Sequence, residues 1–359
     1  METAELTREL VSIPSHDDEK QAGDYIEQWL REETTGGIQR DSHGNVIARR
    51  GTDSDGRSLA LVGHHDVVAP ADSQTDPDGE YLVEARDGRL YGRGTADMKG
   101  AVAAAMCAFR DAELDDCELI FASFVGEETG GRGARGAISD GFAPEYAIVG
   151  EGSTGYSGAE TTDVAIAHRG RRASTITASG VAAHASEPEA GTNAIYRATG
   201  AVEGIRELKA PKTEVLGQEM RGSVVVTEIE GGSAWNVVPE SCTITIDERT
   251  VPDERVPLSD ICDRPGLTHT VDQDLPPMAC DEPAFADLVL DVADEVQEPT
   301  PEQVLKPHAT DAGWLAQSGT SCVVCGPAEL GEAHTADESV SVTVLERCYD
   351  IYRGVAETF

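Results

Sequence analysis

Residues 92–109, GRGTADMKGAVAAAMCAF, decide the fold of this chain, because a glycine-rich turn leads straight into a run of small apolar residues. The run from Ala101 to Phe109 carries no charge, so it predicts a helix within residues 97–111 that is buried on all sides. Apolar runs on either side of it predict strands at 45–50, 58–62, 118–125 and 146–149. Strands that alternate with helices in this way indicate an α/β fold with a mostly parallel sheet covered by helices.

The apolar pattern changes near Arg169 and resumes after Pro277. Between these points we expect half-exposed strands at 173–178, 222–229 and 242–246, and helices at 193–208 and around Ser259. The sequence therefore predicts a site-bearing domain of residues 1–170 and 278–359, interrupted by a smaller α+β domain of residues 171–277. The remaining predictions for the site-bearing domain are a turn at 51–56 and helices at 5–13, 19–32, 285–295 and 340–356.

The chain carries 66 Asp and Glu against 28 Lys and Arg, which gives a net charge of −38. Such self-repulsion destabilises a compact protein at ordinary salt, whereas 1 M salt shortens the Debye length to about 3 Å. We therefore expect a protein from a halophile, with an acidic enzyme of a mesophile as the alternative. The sequence has no basic stripe for nucleic acid and no apolar run near the roughly 20 residues that span a membrane. We expect a cytoplasmic protein that binds neither nucleic acid nor a membrane.

Cys322 and Cys325 lie in the apolar run SCVVCGP. Strand residues three positions apart point to opposite faces of a sheet. We therefore interpret this segment as a buried strand rather than a redox or zinc motif.

Five short segments carry residue types that bind metals, and most of them adjoin an apolar run or a predicted helix. They are GHHD at 63–66, GRGTADMKG at 92–100, GEE at 126–128, GEG at 150–152 and AHT at 333–335. In open α/β sheets, sites form at the carboxyl ends of strands. Histidine and carboxylate ligands without cysteine suit two ions of zinc, cobalt or manganese.

His64 and Asp66 stand two positions apart at a predicted strand end, so their side chains point the same way. We interpret His64 as a metal ligand and Asp66 as the carboxylate that orients its ring. His65 is expected to point away.

Asp97 can bridge two cations through its two oxygens, as sites with ions about 3.5–4 Å apart require. Glu127 and Glu128 are adjacent, so they point in different directions. We expect one of the two to bind metal and the other to take a proton from the attacking water.

Four strings in this order are highly specific: GHHDVV at 63–68, YGRGTADMKG at 91–100, EE at 127–128, and GPAELGEAH at 326–334 followed by DE at 337–338. Together they resemble the M20 metallopeptidase and deacylase family over nearly the whole chain. The resemblance implies a zinc-hydrolase catalytic domain interrupted by a lid that often dimerises, here residues 171–277. It also implies the metal ligands, which are His64 and Glu151 for one zinc, Glu128 and His334 for the other, and Asp97 as the bridge.

The same resemblance implies roles in catalysis and substrate binding. Glu127 is the general base, and Asp66 is the carboxylate that orients a ligand. His184 resembles the lid histidine that reaches the site of a neighbouring protomer and stabilises the oxyanion, so we expect a homodimer through the lid. Asn236 and Arg249 resemble substrate-binding residues of the lid.

The acyl group of the substrate is the open point. Arg171 and Arg172 stand in a string that resembles desuccinylases, and a guanidinium suits a succinyl carboxylate. The region 326–338 is closer to acetylornithine deacetylases. We favour N-succinyl-diaminopimelate among N-acyl amino acids as the substrate; an acetylornithine deacetylase, a general N-acyl-amino-acid deacylase and an M20 dipeptidase are alternatives. A non-catalytic binding protein on the same fold is a further alternative, although no ligand is missing from the sequence.

Overall fold

The computed structural model describes residues 2–52 and 57–359, so residues 53–56 of the turn predicted at 51–56 lie outside the described residues. The chain forms two compact units. Unit 1 comprises Met1–His168, Met278–Lys306 and Thr310–Phe359, and unit 2 comprises Arg169–Pro277 and Pro307–Ala309. Unit 1 contains each of the five metal-type segments, because all of them fall within its ranges.

The helices are α1 Thr3–Val11, α2 Lys20–Glu33, α3 Gly100–Asp111, α4 Arg132–Ser139, α5 Ala194–Glu207, α6 Leu258–Cys262, α7 Pro283–Glu295, α8 Ala312–Gln317 and α9 Val342–Thr358. The first ten strands are β1 Gly37–Arg40, β2 Val46–Gly51, β3 Ser58–His64, β4 Glu84–Arg86, β5 Arg89–Tyr91, β6 Glu118–Phe124, β7 Tyr146–Val149, β8 Val164–His168, β9 Gly170–Ser179 and β10 Ala183–His184. The others are β11 Lys212–Val215, β12 Gln218–Arg221, β13 Ser223–Gly231, β14 Val237–Val238, β15 Ser241–Thr250, β16 Leu267–Leu275, β17 Met278–Ala279, β18 Gln303–Lys306, β19 Ser321–Val324 and β20 Ser339–Ser341.

Unit 1 is built on one large sheet with the strand order β1-β2-β6-β3-β7-β19-β8-β17, and β18 also pairs with β8. Strands β6, β3, β7 and β19 run parallel to one another in its centre. The pairs β1–β2, β2–β6, β19–β8 and β8–β17 are antiparallel. This confirms the predicted α/β class with a mostly parallel central sheet and adds antiparallel strands towards both edges.

Helices cover both faces of this sheet, as parallel sheets require. On one face, Ala60 and Val62 of β3 belong to a buried cluster with Ala134 of α4 and Leu315 of α8. On the other face lies α3, whose residues are buried over almost its whole length, as predicted for residues 97–111. Helix α3 lies close against β3, since a Cβ added at Gly63 would lie 2.8 Å from Val102 Cγ2.

Unit 2 contains a four-stranded antiparallel sheet with the order β13-β15-β9-β16. Its buried face carries Ile176 and Ile244, which pack with Ala198 and Ile205 of α5 and with Ile261 of α6. This is the strand and helix content predicted for an α+β unit.

Strands β8 and β16 were absent from the sequence prediction. The run that forms β8 is VAIAH, which is too short to identify as a strand by periodicity alone. Strand β16, LTHTVDQDL, lies at a sheet edge and is largely polar, so its sequence has little apolar signal. The Cys322–Cys325 run is confirmed as buried strand, since β19 and Cys325 are fully enclosed.

Candidate metal centre

The first donor group forms where two parallel neighbours, β3 and β7, end at the same edge of the sheet. His64 is the last residue of β3, and Glu151 closely follows β7. The Nε2 atom of His64 lies 3.2 Å from Asp97 Oδ1 and 3.4 Å from Glu151 Oε1. His64, Asp97 and Glu151 therefore point donor atoms at one small volume, all within 4.8 Å of one another.

The second group shares one member with the first. Glu128 follows β6, and His334 lies in the loop before β20 with a φ of 64°. His334 Nε2 lies 2.9 Å from Glu128 Oε1 and 3.1 Å from Asp97 Oδ2. Asp97 thus presents one carboxylate oxygen to each group.

Asp97 stands in a single π-type turn, Thr95–Lys99, between β5 and α3. The peptide bond from Asp97 to Met98 is cis. The backbone of both residues is non-helical, although helix α3 begins immediately afterwards at Gly100.

Asp66 contacts both the His64 ring and the backbone of the two glutamates. Its Oδ1 lies 3.4 Å from His64 Nδ1, while its main-chain oxygen lies 3.0 Å from the same nitrogen. The amides of Glu127 and Glu128 donate to Oδ1 and Oδ2, each at 3.1 Å. Burial works against ionisation, but the His64 ring and these two amides lower the pKa of Asp66. The amide contacts were not anticipated, because sequence spacing alone does not show what approaches a side chain.

The carboxylates of the centre draw protons onto its histidines. Burial opposes protonation of His64, yet hydrogen bonds that its ring donates to Asp66, Asp97 and Glu151 raise its pKa well above 6.5. Hydrogen bonds with Asp97 and Glu128 raise the pKa of His334 to about 10, against a smaller effect of burial. The donor set therefore carries an excess of negative charge, which a bound cation would relieve.

Glu127 is half-buried and belongs to neither donor group. Removal from water raises its pKa well above the ordinary value. The His64 ring opposes this shift, whereas the negative charges of Asp311, Glu151 and Asp97 add to it.

His65 is buried with Nδ1 2.8 Å from Ser123 Oγ, and it points away from both groups as predicted.

Two buried charged residues near the centre were missed by sequence reasoning. Lys306 Nζ donates to the main-chain oxygen of Gly152 at 2.7 Å and lies 3.7 Å from Glu151 Oε2. Asp311 is 3% exposed, and neither of its carboxylate oxygens accepts a hydrogen bond from any residue the structure describes. Burial raises the pKa of Asp311 to about 7; His64 opposes this, and Asp66 and Glu151 add to it. The available signal for Lys306 was its rarity, since the chain has only five lysines.

The predicted substrate-binding residues all lie in unit 2, and the three arginines among them differ in their contacts. Arg171 Nε lies 3.2 Å from Asp247 Oδ2, and Arg249 Nε lies 2.8 Å from Asp247 Oδ1. Arg172 lies on the opposite face of β9, 3.8 Å from both Glu248 and Asp274. Adjacent residues on a strand point to opposite faces, so Arg171 and Arg172 do not form one binding surface.

The other two predicted residues of unit 2 lie close to each other. Strands β10 and β14 pair, and the amide of Ala185 donates to the main-chain oxygen of Asn236 at 2.9 Å. The His184 side chain is exposed, with Nδ1 2.6 Å from Ser186 Oγ. Its ring is therefore held at one nitrogen and open to solvent elsewhere.

A profile of the family described as Peptidase family M20/M25/M40 matches residues 60–358. The chain belongs to this family. As an M20 family member it is a hydrolase, and enzymes of the family use divalent metals, for which the two donor groups are candidates. None of the helices in the part of the chain that the structure describes has the length and apolar character of a membrane span.

Relatives of this M20 protein include deacylases. An acetylornithine deacetylase from Myxococcus xanthus is 30% identical over 335 residues, covering 85% of this chain and 81% of the relative. A succinyl-diaminopimelate desuccinylase from Hydrogenovibrio crunogenus is 28% identical, covering 86% and 85%.

Solved structures share the M20 fold at low identity. An aminopeptidase from Bacillus cereus has a TM-score of 0.79 at 18% identity and covers 99% of this chain and 97% of its own. An M20 family metallo-carboxypeptidase from Sulfolobus solfataricus has a TM-score of 0.74 at 14% identity, with 99% of both chains covered. At such identities the likeness concerns the fold alone.

Proposed function

We propose that the protein is a two-metal hydrolase that cleaves the amide bond of an N-acyl amino acid. The observation that carries this proposal is the position of Asp97. Its Oδ1 lies 3.2 Å from His64 and its Oδ2 lies 3.1 Å from His334, so one carboxylate joins two complete donor groups. Two-metal hydrolases need such a shared ligand to hold their ions about 3.5–4 Å apart.

The donor set fits two divalent ions. His64 and Glu151 would hold one, Glu128 and His334 the other, and Asp97 both. Imidazole and carboxylate donors suit zinc, with cobalt or manganese as substitutes. When bound, the ions polarise the amide carbonyl and lower the pKa of water.

Glu127 is the general base of the proposed reaction. It belongs to neither donor group, the charges of Asp97 and Glu151 act on its carboxyl, and its amide donates to Asp66. Its carboxylate takes a proton from the attacking water and delivers it to the departing amine, a role that requires a pKa close to the working pH. The pKa of this carboxyl is raised in the metal-free protein, and cations bound nearby would lower it again.

Recognition of a substrate carboxylate falls to Arg171 and Arg249. Both contact Asp247, so two positive charges share one negative partner and one net positive charge remains for an anion. Their side chains are 46% and 33% exposed, so they are accessible to a ligand. Arg172 is held on the other face between Glu248 and Asp274 and serves the fold of unit 2.

His184 and Asn236 complete the proposed site from the lid of a second protomer. The open nitrogen of the His184 ring is suited to donate a hydrogen bond to the oxyanion, and removal of such a donor costs about 2.7–4 kcal/mol. This makes a homodimer through unit 2 part of the proposal.

For the acyl group we favour succinyl, with N-succinyl-diaminopimelate as substrate. The support is the Arg171–Asp247–Arg249 arrangement, together with desuccinylases among the relatives at 28% identity. The second candidate is acetylornithine, since a deacetylase for it is 30% identical.

The deciding experiment compares turnover of N-succinyl-diaminopimelate, N-acetylornithine and dipeptides by protein loaded with zinc or cobalt. Arg171→Ala should raise KM for the succinyl substrate by about 10–100-fold, from about 1.5–3 kcal/mol for a charged hydrogen bond, and leave an acetyl substrate nearly unchanged. Arg172→Ala is the matched control, which should lower stability without this discrimination. Equal losses on both substrates after Arg171→Ala would assign that residue to the fold, and a preference of the wild type for acetylornithine would replace the succinyl proposal.

A further inference from the structure

Glu338 is a buried carboxylate that the proposed chemistry does not use. It is 1% exposed and follows the loop that carries His334. One of its oxygens, Oε1, accepts hydrogen bonds from three backbone amides: Gly94 at 3.0 Å, Ala96 at 3.0 Å and Asp97 at 3.1 Å. The other oxygen, Oε2, pairs with Arg93, whose side chain is also buried. Glu338 therefore binds the backbone of the turn that contains the shared donor Asp97 and also pairs with Arg93 just before it.

The turn is shaped to surround an anion. Gly94 has a φ of 87°, and a Cβ at this position would lie 2.7 Å from Val67 Cγ1, so glycine is required on both counts. Amides that converge from such a turn form a concave anion site. Here the anion is supplied by the chain itself, and hydrogen bonds from amides to an ionised carboxylate are among the strong ones.

Glu338 also joins the Asp97 turn to the segment that carries His334 of the second donor group. The amide of Gly92 donates to the main-chain oxygen of Glu338 at 3.1 Å. Immediately after Glu338, strand β20 pairs with β5, which leads into the turn. Glu338 thus touches the backbone of Asp97 directly and is tied covalently to the loop of His334.

We infer that Glu338 is a positioning residue that sets the metal affinity of both donor groups by fixing the backbone of Asp97. This inference rests on the metal centre of the proposed function. The competing explanation is that Glu338 and Arg93 form an ion pair that only stabilises the fold. The two differ in what they predict, because only a positioning residue changes metal binding in a protein that remains folded.

The test uses Glu338→Gln, which keeps the size of the side chain and removes its charge, and Glu338→Asp, which keeps the charge and shortens the reach. Asp163→Asn is the matched control. Asp163 is also fully buried and accepts amides, from Tyr156 at 3.1 Å, Ser157 at 2.8 Å and Glu302 at 2.9 Å, but it does not contact the Asp97 turn. Metal-free proteins are titrated with Co²⁺ by calorimetry, and the visible spectrum of bound Co²⁺ and the thermal midpoint are recorded.

Both Glu338 variants should bind Co²⁺ about 10–100-fold more weakly at both steps, the usual effect of losing a group that orients a ligand. The Co²⁺ spectrum at saturation should also change, because the direction of the Asp97 carboxylate changes. Asp163→Asn should lower the thermal midpoint with wild-type affinities and spectrum.

If Glu338→Gln does not fold, Glu338→Asp decides the question by the same measurements. Affinities within twofold of the wild type in a folded variant overturn the inference alone. A wild-type protein that binds no Co²⁺ overturns the proposed function and the inference with it.

Discussion

Glu127 differs from its neighbour Glu128 in what it contacts, although both amides bond to Asp66. Glu128 lies 2.9 Å from His334 in a donor group, whereas Glu127 lies outside both groups. We expect Glu127→Gln to keep both metals while kcat falls by roughly 10²–10⁴, the contribution of acid–base catalysis. Metal analysis and steady-state kinetics measure the two effects, and Glu128→Gln, which should lose metal, is the control. Loss of metal with near-normal turnover after reconstitution would contradict the assignment of Glu127.

We expect Asp311 to make the stability of the metal-free protein sensitive to pH. Its pKa is raised by burial to about 7 from an ordinary 3.8, so ionisation costs stability progressively as pH rises from about 4 to 7, and the cost is constant above that. Asp311→Asn removes this cost. We expect the variant to be more stable than the wild type at pH 8, by at most about 4 kcal/mol, since one pKa unit corresponds to about 1.4 kcal/mol.

The measurement is denaturant unfolding of both metal-free proteins between pH 5 and 8. The advantage of Asp311→Asn should grow up to about pH 7 and then remain level. Parallel stability curves for the two proteins would show that folding does not raise the pKa of the Asp311 carboxyl group.

The sequence indicates the donor residues of the centre better than the residues that hold them. His64, Glu128 and Glu151 could be predicted because each follows an apolar run, and strand ends converge at one edge of a parallel sheet. Glu338 and Lys306 contact backbone atoms of segments remote in sequence, and no spacing rule connects a side chain to such backbone groups. Which face of the sheet each arginine of the pair 171–172 occupies follows only from the register of β9.

At the scale of elements, helix α5 depends on Asn193, the residue immediately before it. Asn193 Oδ1 accepts the amides of Ile195 at 2.9 Å and Tyr196 at 3.3 Å, which satisfies two free donors of the first turn. Because α5 packs on the sheet of unit 2, Asn193→Ala should lower the stability of that unit by about 1 kcal/mol. Metal content should not change. Scanning calorimetry measures the effect, and Asn193→Ser, which can still cap, should behave as the wild type; equal losses in both variants would contradict the capping role.

The elements themselves were predictable where burial imposes a clear period. Strand β7 begins and ends at the predicted residues, and α3 and α7 deviate only at their first residues. The antiparallel pairing of β8 with β19 was not predictable, because β8 and β19 are short apolar runs separated by the whole of unit 2. Strand direction in such a case depends on the path of the chain between the two runs.

At the scale of the whole molecule, the net charge of −38 acts on every element at once. Lowering the salt concentration to 0.01 M extends the Debye length to about 30 Å, so that repulsion reaches across the protein. We expect the thermal midpoint to rise with KCl into the molar range. Unfolding scans at increasing KCl, with NaCl as a parallel series, provide the measurement, and a flat profile would contradict a halophilic adaptation.

The proposed dimer has its own consequence. If His184 serves the site of a partner protomer, then Glu127→Gln and His184→Ala, each inactive alone, should regain part of the activity when mixed, because one hybrid site has both residues intact. Activity after mixing, with subunit exchange followed through different affinity tags, is the readout. Exchange without recovery would place His184 outside the partner's site.

The order of strands in the large sheet also bears on how the protein is made. Strand β19 lies between β7 and β8, yet the ribosome delivers it only after all of unit 2 has emerged. Until then the nascent sheet has two open strand edges, which can pair with other chains. His334 follows β19 in the chain, so the second donor group cannot assemble before that residue has been synthesised. If the two donor groups bind metals as proposed, the second ion can be held only after His334 has emerged, and fragments that stop short of β19 should be prone to aggregate.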